Sequence, residues 1–201
     1  MVIEASFRVS QSPQLFKAFQ SALLDPTIAP EEHRSVSLFV NEAAKAGAGL
    51  DMAGKQKLQA IKQELAALSS SFGRSRLDSR KSWRRSLSPE DIGLFPQSML
   101  SIFERTGDSY FATLSEPVIQ AVLKHHPSRE LREDIYRAHN QVASFAPHDN
   151  KPTIQRILEL RHQTALLLSH SSYAALSLSL KMAGSPAAVQ SLIDELSGII
   201  C

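Results

Sequence analysis

Lys55-Gln-Lys-Leu58-Gln-Ala-Ile61-Lys-Gln-Glu-Leu65-Ala-Ala-Leu68-Ser-Ser-Ser-Phe72-Gly73 places its large apolar residues at intervals of 3, 4, 3 and 4. That is the spacing of one helical face, and Lys55, Lys57, Lys62 and Glu64 occupy the other. The stretch predicts a long amphipathic helix closed by Gly73. Leu131, Ile135, Ala138, Val142 and Phe145 repeat the pattern, with Glu133 and Arg137 placed i,i+4 on the polar side. Two apolar stripes of this kind need helical partners.

The punctuation around them is helical too. Ser12-Pro13, Ser88-Pro89 and Ser185-Pro186 each offer a hydroxyl cap followed by proline at the first helical position. Pro127 closes one segment and Ser128 caps the next. Further helices are expected at Pro13 to Leu24, Glu31 to Ala46, Pro96 to Glu104, Glu116 to His126, Pro152 to Ser169, Ser172 to Met182 and Pro186 to Ile200. Strand signals are scarce: Ser109 to Leu114, after Thr106-Gly107-Asp108, is the best, and Ser82 to Leu87 is its expected partner. The fold class is therefore mainly α, an array of about nine helices with one small inserted strand pair. Residues 1–12 read as a poorly defined N-terminal segment and 13–201 as one helical domain.

The chain has 201 residues, with 22 Lys and Arg against 20 Asp and Glu and 43% apolar residues. That composition lies far from the disordered and collagenous extremes. A single cysteine, Cys201, excludes an internal disulfide framework and a thiol-rich zinc site. No run approaches the roughly 18 apolar residues that span a bilayer, so no membrane partner is expected. The first twelve residues carry neither a secretory h-region nor an Arg-rich leader. Val189, Leu192, Ile193, Leu196, Ile199 and Ile200 run as an apolar stripe without a polar stop. The expectation is a chain that continues into something that buries this face.

The seven histidines offer no HExxH, the pairing that sets two zinc ligands one turn apart beside a general base. His125-His126 is read as a helix end and His162 as a histidine at a core margin. There is no GxSxG elbow, GxGxxG or GxxxxGK[ST] loop. Glu31-Glu32 and Glu133-Asp134 read as capping and solvation. No catalytic or metal residue is assigned, and substrate-binding residues stay unassigned. One stretch stands out: Arg74 to Arg85 holds Arg74, Arg76, Arg80, Lys81, Arg84 and Arg85 against Asp78, with Trp83 among them. It could neutralise phosphates and stack a base. The preferred reading anchors Trp83 in the core and turns the arginines to water, because no other stripe of charge supports a nucleic-acid surface.

Several strings resemble the thimet oligopeptidase family of zinc metallopeptidases in order and spacing. They are Arg129-Glu-Leu-Arg-Glu133 running into Tyr136-Arg-Ala138, Asp149-Asn150, Ile157-Leu-Glu-Leu-Arg-His162, Tyr173-Ala174, and Leu180-Lys-Met-Ala183 before Pro186 and Val189. Glu31-Glu32, Val36, Leu38-Phe39, Gly49-Leu-Asp51 and Leu68-Ser-Ser-Ser-Phe72 look most like the mitochondrial intermediate peptidase branch. The resemblance implies the N-terminal half of a bilobed helical enzyme that holds peptides in a deep channel. It further implies zinc, bound by HExxH and a downstream Glu in a C-terminal catalytic region that this chain lacks. It also implies trimming of imported precursor proteins in the mitochondrial matrix, with the cytoplasm as the other location. Alone, the chain is expected to bind no cofactor and to be inactive. The alternative from another class is a non-catalytic helical module that binds a peptide or nucleic acid.

Overall fold

A computed structural model describes residues 12–200, with the side chain of Ile200 excepted. The expectations placed on residues 1–11 and on Cys201 lie outside the described residues. In chain order the elements are α1 (Pro13–Ala22), α2 (Pro30–Ala46), α3 (Met52–Ser82), β1 (Arg84–Leu87), α4 (Pro89–Gly93), a 3-10 turn (Gln97–Ile102), β2 (Glu104–Thr106) and β3 (Ser109–Thr113). They continue with α5 (Glu116–His125), α6 (Arg129–Asn140), α7 (Lys151–Leu167), α8 (Tyr173–Leu178) and α9 (Pro186–Ile200). The fold is mainly α. The sheet has three antiparallel strands in the order β1-β3-β2, one strand more than the expected pair.

The proline-led helices start where the hydroxyls predict. Ser12 accepts from the Leu15 N–H at 3.4 Å, and Ser88 and Asp91 form a reciprocal capping box on α4. The long helix does not stop at Gly73, which sits in its interior with open space on the side where a Cβ would project. It continues to Ser82 because tertiary bonds hold the extra turns: Ser79 Oγ accepts from the Ala143 N–H at 2.9 Å, and the Arg80 guanidinium donates to the Leu114 carbonyl. Arg80 and Lys81 in its last turn also complement the helix dipole.

Other ends move as well. The helix expected at Pro96 to Glu104 is a 3-10 turn that yields to β2 after the buried Phe103, whose ring lies 4.7 Å from that of Phe95. α6 ends at Asn140, so Val142 and Phe145 leave the helical stripe and Phe145 is exposed. α8 covers only Tyr173–Leu178 of the expected Ser172 to Met182.

The chain divides into two compact units, described separately; α3 and α7 each contribute residues to both. The first comprises residues 12–66 and 157–200 of the described chain. Its buried apolar residues are Ala43, Ala48, Leu58, Ile61, Leu160, Ala165 and Leu176, and Phe19 and Phe39 meet with ring centroids 4.3 Å apart. On α9, Leu192, Ile193, Leu196 and Ile199 are exposed.

The second unit, residues 67–156, holds one contiguous core. Leu87, Ala112 and Leu114 from the sheet side pack with Val118, Ile119 and Val122 of α5 and Leu131 and Ile135 of α6. Phe95 and Phe103 close it, and Trp83 packs against it half-buried.

Candidate peptide-binding groove

Within the second unit a groove of about 790 Å³ runs beside β1, lined by residues of α3, β1, α6 and the segment after α6. The sheet explains its position. In β1, Arg84 and Ser86 face one side while Arg85 and Leu87 face the core, as the alternation of a strand requires. Registers are Arg84 with Thr113, Arg85 with Ala112, Ser86 with Phe111 and Leu87 with Tyr110. Yet Trp83, Arg84, Arg85 and Ser86 all line the groove. Consecutive residues of a strand border one space only when that space follows the strand edge, since a face would take every second residue.

The charges of the groove come from paired side chains. Arg84 lies 3.8 Å above the Phe111 ring, its diagonal neighbour across the strands, and reaches Glu104 at 3.0 Å. Arg85 pairs with Asp134 and with Glu130, the latter at 3.3 Å. Arg137 holds Glu133 at 2.7 Å, the i,i+4 pair read from the sequence. Three guanidinium groups therefore line the groove with one carboxylate, Asp134, while Trp83 and Phe145 supply aromatic surface.

The basic run is thus only partly what the sequence suggests. Trp83 is anchored against the core and Arg74, Arg76 and Lys81 are exposed, as expected, but Arg80 and Arg85 are half-buried against a carbonyl and carboxylates, and the exposed Arg84 is paired with Glu104. Asp134, read as a solvating acid, is the counter-ion of Arg85. Sequence could not pair them, because 49 positions separate residues on different elements (134 − 85). Arg80 is a structural residue with a measurable role. Arg80→Met leaves the carbonyl of the buried Leu114 without its donor, and is expected to lower stability by about 1 to 3 kcal/mol in urea unfolding.

The histidines do not assemble into a site. His126 is buried at the end of α5, where Nδ1 accepts from the Ser128 N–H at 3.2 Å and the ring lies 5.2 Å from that of Phe95. His162 is exposed, as are Leu158 and Leu166 beside it, so it does not lie at a core margin. Among the described residues no three His, Cys, Asp or Glu side chains converge to hold a metal ion. A zinc site needs three or four such ligands, so the described residues do not fit that metal. Asn150 shows why one of the family-like strings is there. Nearly fully buried, it donates from Nδ2 to the Phe72 carbonyl at 3.1 Å and from its N–H to the Ala143 carbonyl at 2.9 Å, tying the start of α7 to α3.

A helical scaffold with a groove of paired arginines and two aromatic rings, and no converging metal ligands, is the class of protein that the described residues define. The sequence profile of Peptidase family M3 matches residues 122–198. Organellar oligopeptidase A, chloroplastic/mitochondrial, of Arabidopsis thaliana is 30% identical over 90% of this chain and 25% of its own length. Oligopeptidase A of Escherichia coli is 27% identical over 98% of this chain and 31% of its own. A mitochondrial intermediate peptidase of Schizophyllum commune is 24% identical over 90% of this chain and 24% of its own. The chain belongs to peptidase family M3, the thimet oligopeptidase-like family. Its likeness to mitochondrial intermediate peptidase is one among several. The chain spans about a quarter to a third of the length of the curated relatives it matches.

Proposed function

We propose that this chain forms the peptide-holding wall of the substrate channel of an M3 metallopeptidase, and that zinc and the water it activates are supplied by sequence outside these residues. The observation that carries this reading is the alignment of nearly the whole chain with oligopeptidases A, combined with a groove whose walls can hold a polypeptide. The described residues offer orientation and binding. Amide hydrolysis on this reading rests on a metal that brings bound water from a pKa of about 15.7 to about 7.

The test is a chimera in which this chain replaces the aligned part of Escherichia coli oligopeptidase A. The expected result is chelator-sensitive peptide cleavage by the chimera, with peptide binding but no turnover by the 201-residue chain alone. Metal-loaded chain that cleaved peptides with turnover, after contaminating proteases were excluded, would overturn the scaffold role. A chimera that folds without cleaving would overturn the family role. The finer part of the proposal places the work in the mitochondrial matrix, on imported precursor proteins. Its support is the names of the organellar and mitochondrial relatives, which stand beside cytosolic and bacterial ones. A C-terminally tagged chain found only in the cytosol would remove that part.

A further inference from the structure

Among the described residues no strand pairs with the outer edge of β1, and the hairpin fixes which backbone groups point there. β2 and β3 are joined by Gly107-Asp108, with Thr106 opposite Ser109. Gly107 has φ +61 and Asp108 is not among the positive-φ residues, the pattern of a two-residue type II′ turn. In such a turn the closing pair, Thr106 and Ser109, exchanges both main-chain bonds. Alternation then points the N–H and C=O of Ser109 and Phe111 toward β2, and those of Tyr110 and Ala112 toward β1. The β1 partners of Tyr110 and Ala112 are Leu87 and Arg85. The main-chain groups of Arg84 and Ser86 are therefore left facing away from the sheet, on the side where the groove lies.

We propose that an extended peptide segment binds here as a fourth strand, paired with the outward main-chain groups of Arg84 and Ser86. Strand addition draws affinity from main-chain bonds and selectivity from flanking side chains. The flanking charges are neutralised in place, Arg84 by Glu104, Arg85 by Asp134 and Glu130 and Arg137 by Glu133, so main-chain pairing rather than a net charge holds the segment. Trp83 and Phe145 take apolar side chains of the same segment, and 790 Å³ is ample for several residues of peptide. The proposal rests on the peptide-holding reading above and names the conformation of the peptide and the atoms that hold it.

Trp83 is the only tryptophan of the chain and lines the groove, so its fluorescence reports occupancy in the intact 201-residue protein. The probe is the acetylated, amidated peptide Glu-Val-Thr-Val-Glu, titrated beside its Lys-Val-Thr-Val-Lys counterpart and an oligothymidylate. The expected result is a saturable change in Trp83 emission with both peptides and none with the oligothymidylate. N-methylation of the peptide one residue at a time should weaken binding about tenfold at alternate positions only, the loss expected for one or two main-chain bonds. Ser86→Pro removes an N–H that faces away from β3, which edge strands tolerate. It should weaken binding about tenfold with an unchanged melting temperature.

Unmoved emission, a flat N-methyl scan, or a response to the oligothymidylate alone would overturn the proposal. If Ser86→Pro fails to fold, the scan on the unmodified protein decides. A chimera that cleaves peptides while the scan is flat defeats strand addition only. An alternating scan beside an inactive chimera defeats the peptidase reading only.

Discussion

Ile135→Ala is expected to lower the unfolding free energy of the second unit by about 2 to 5 kcal/mol, measured by urea denaturation. Ile135 is fully buried on α6, in the cluster that also holds Leu131, Val118 and Val122. Deleting three carbons there loses their transfer energy and leaves a void that its close-packed neighbours only partly fill. Leu65→Ala supplies the contrast. The helical spacing ranks Leu65 with Ile135, but Leu65 is only half-buried. Water reaches its site in the folded chain, so its truncation is expected to cost about 1 to 2 kcal/mol. Equal losses at the two positions would mean that Leu65 has a burial partner beyond the described residues. A near-neutral Ile135→Ala would refute the core assigned to the second unit.

That contrast shows what the sequence makes legible. A 3-4-3-4 stripe states which residues share a helical face, and Leu58, Ile61, Leu131 and Ile135 are indeed buried. It does not state how deeply another element covers each of them. Leu65 and Phe145 obey the same periodicity and stay partly or largely exposed. Helix starts are readable because Ser12 and Ser88 act on their own neighbours three residues on. Ends set by distant bonds are not, and α3 outruns Gly73 because of Ala143 and Leu114. β2 is illegible because Glu104, Arg105 and Thr106 are all exposed, which leaves no apolar alternation to read. The groove is half legible. Its β1 side lies inside the basic run, whereas Asp134, Arg137 and Phe145 enter through the packing of α6 and the segment after it.

Gly47→Ala is expected to destabilise the first unit by about 2 to 4 kcal/mol, an effect far larger than one methyl group suggests. Gly47 follows α2 with φ +96, and the Gly47 N–H bonds to the Ala44 carbonyl while the Ala48 N–H bonds to that of Ala43, both at 2.9 Å. Those two bonds are the Schellman arrangement, which needs a left-handed residue at this position. A side chain there incurs the left-handed penalty and also meets packing. Its Cβ would stand 2.6 Å from Leu58 Cδ2, and Leu58 is 2% exposed, so the leucine cannot simply swing away. Gly73→Ala should act in the opposite direction. Gly73 lies inside α3 with open space around a Cβ, so alanine restricts the unfolded chain and is expected to stabilise by about 0.5 to 1 kcal/mol. Thermal and urea unfolding of the two single variants should therefore move apart. A shift of Gly73→Ala toward lower stability would mean that the helix is broken at that residue, where the apolar spacing alone ends it.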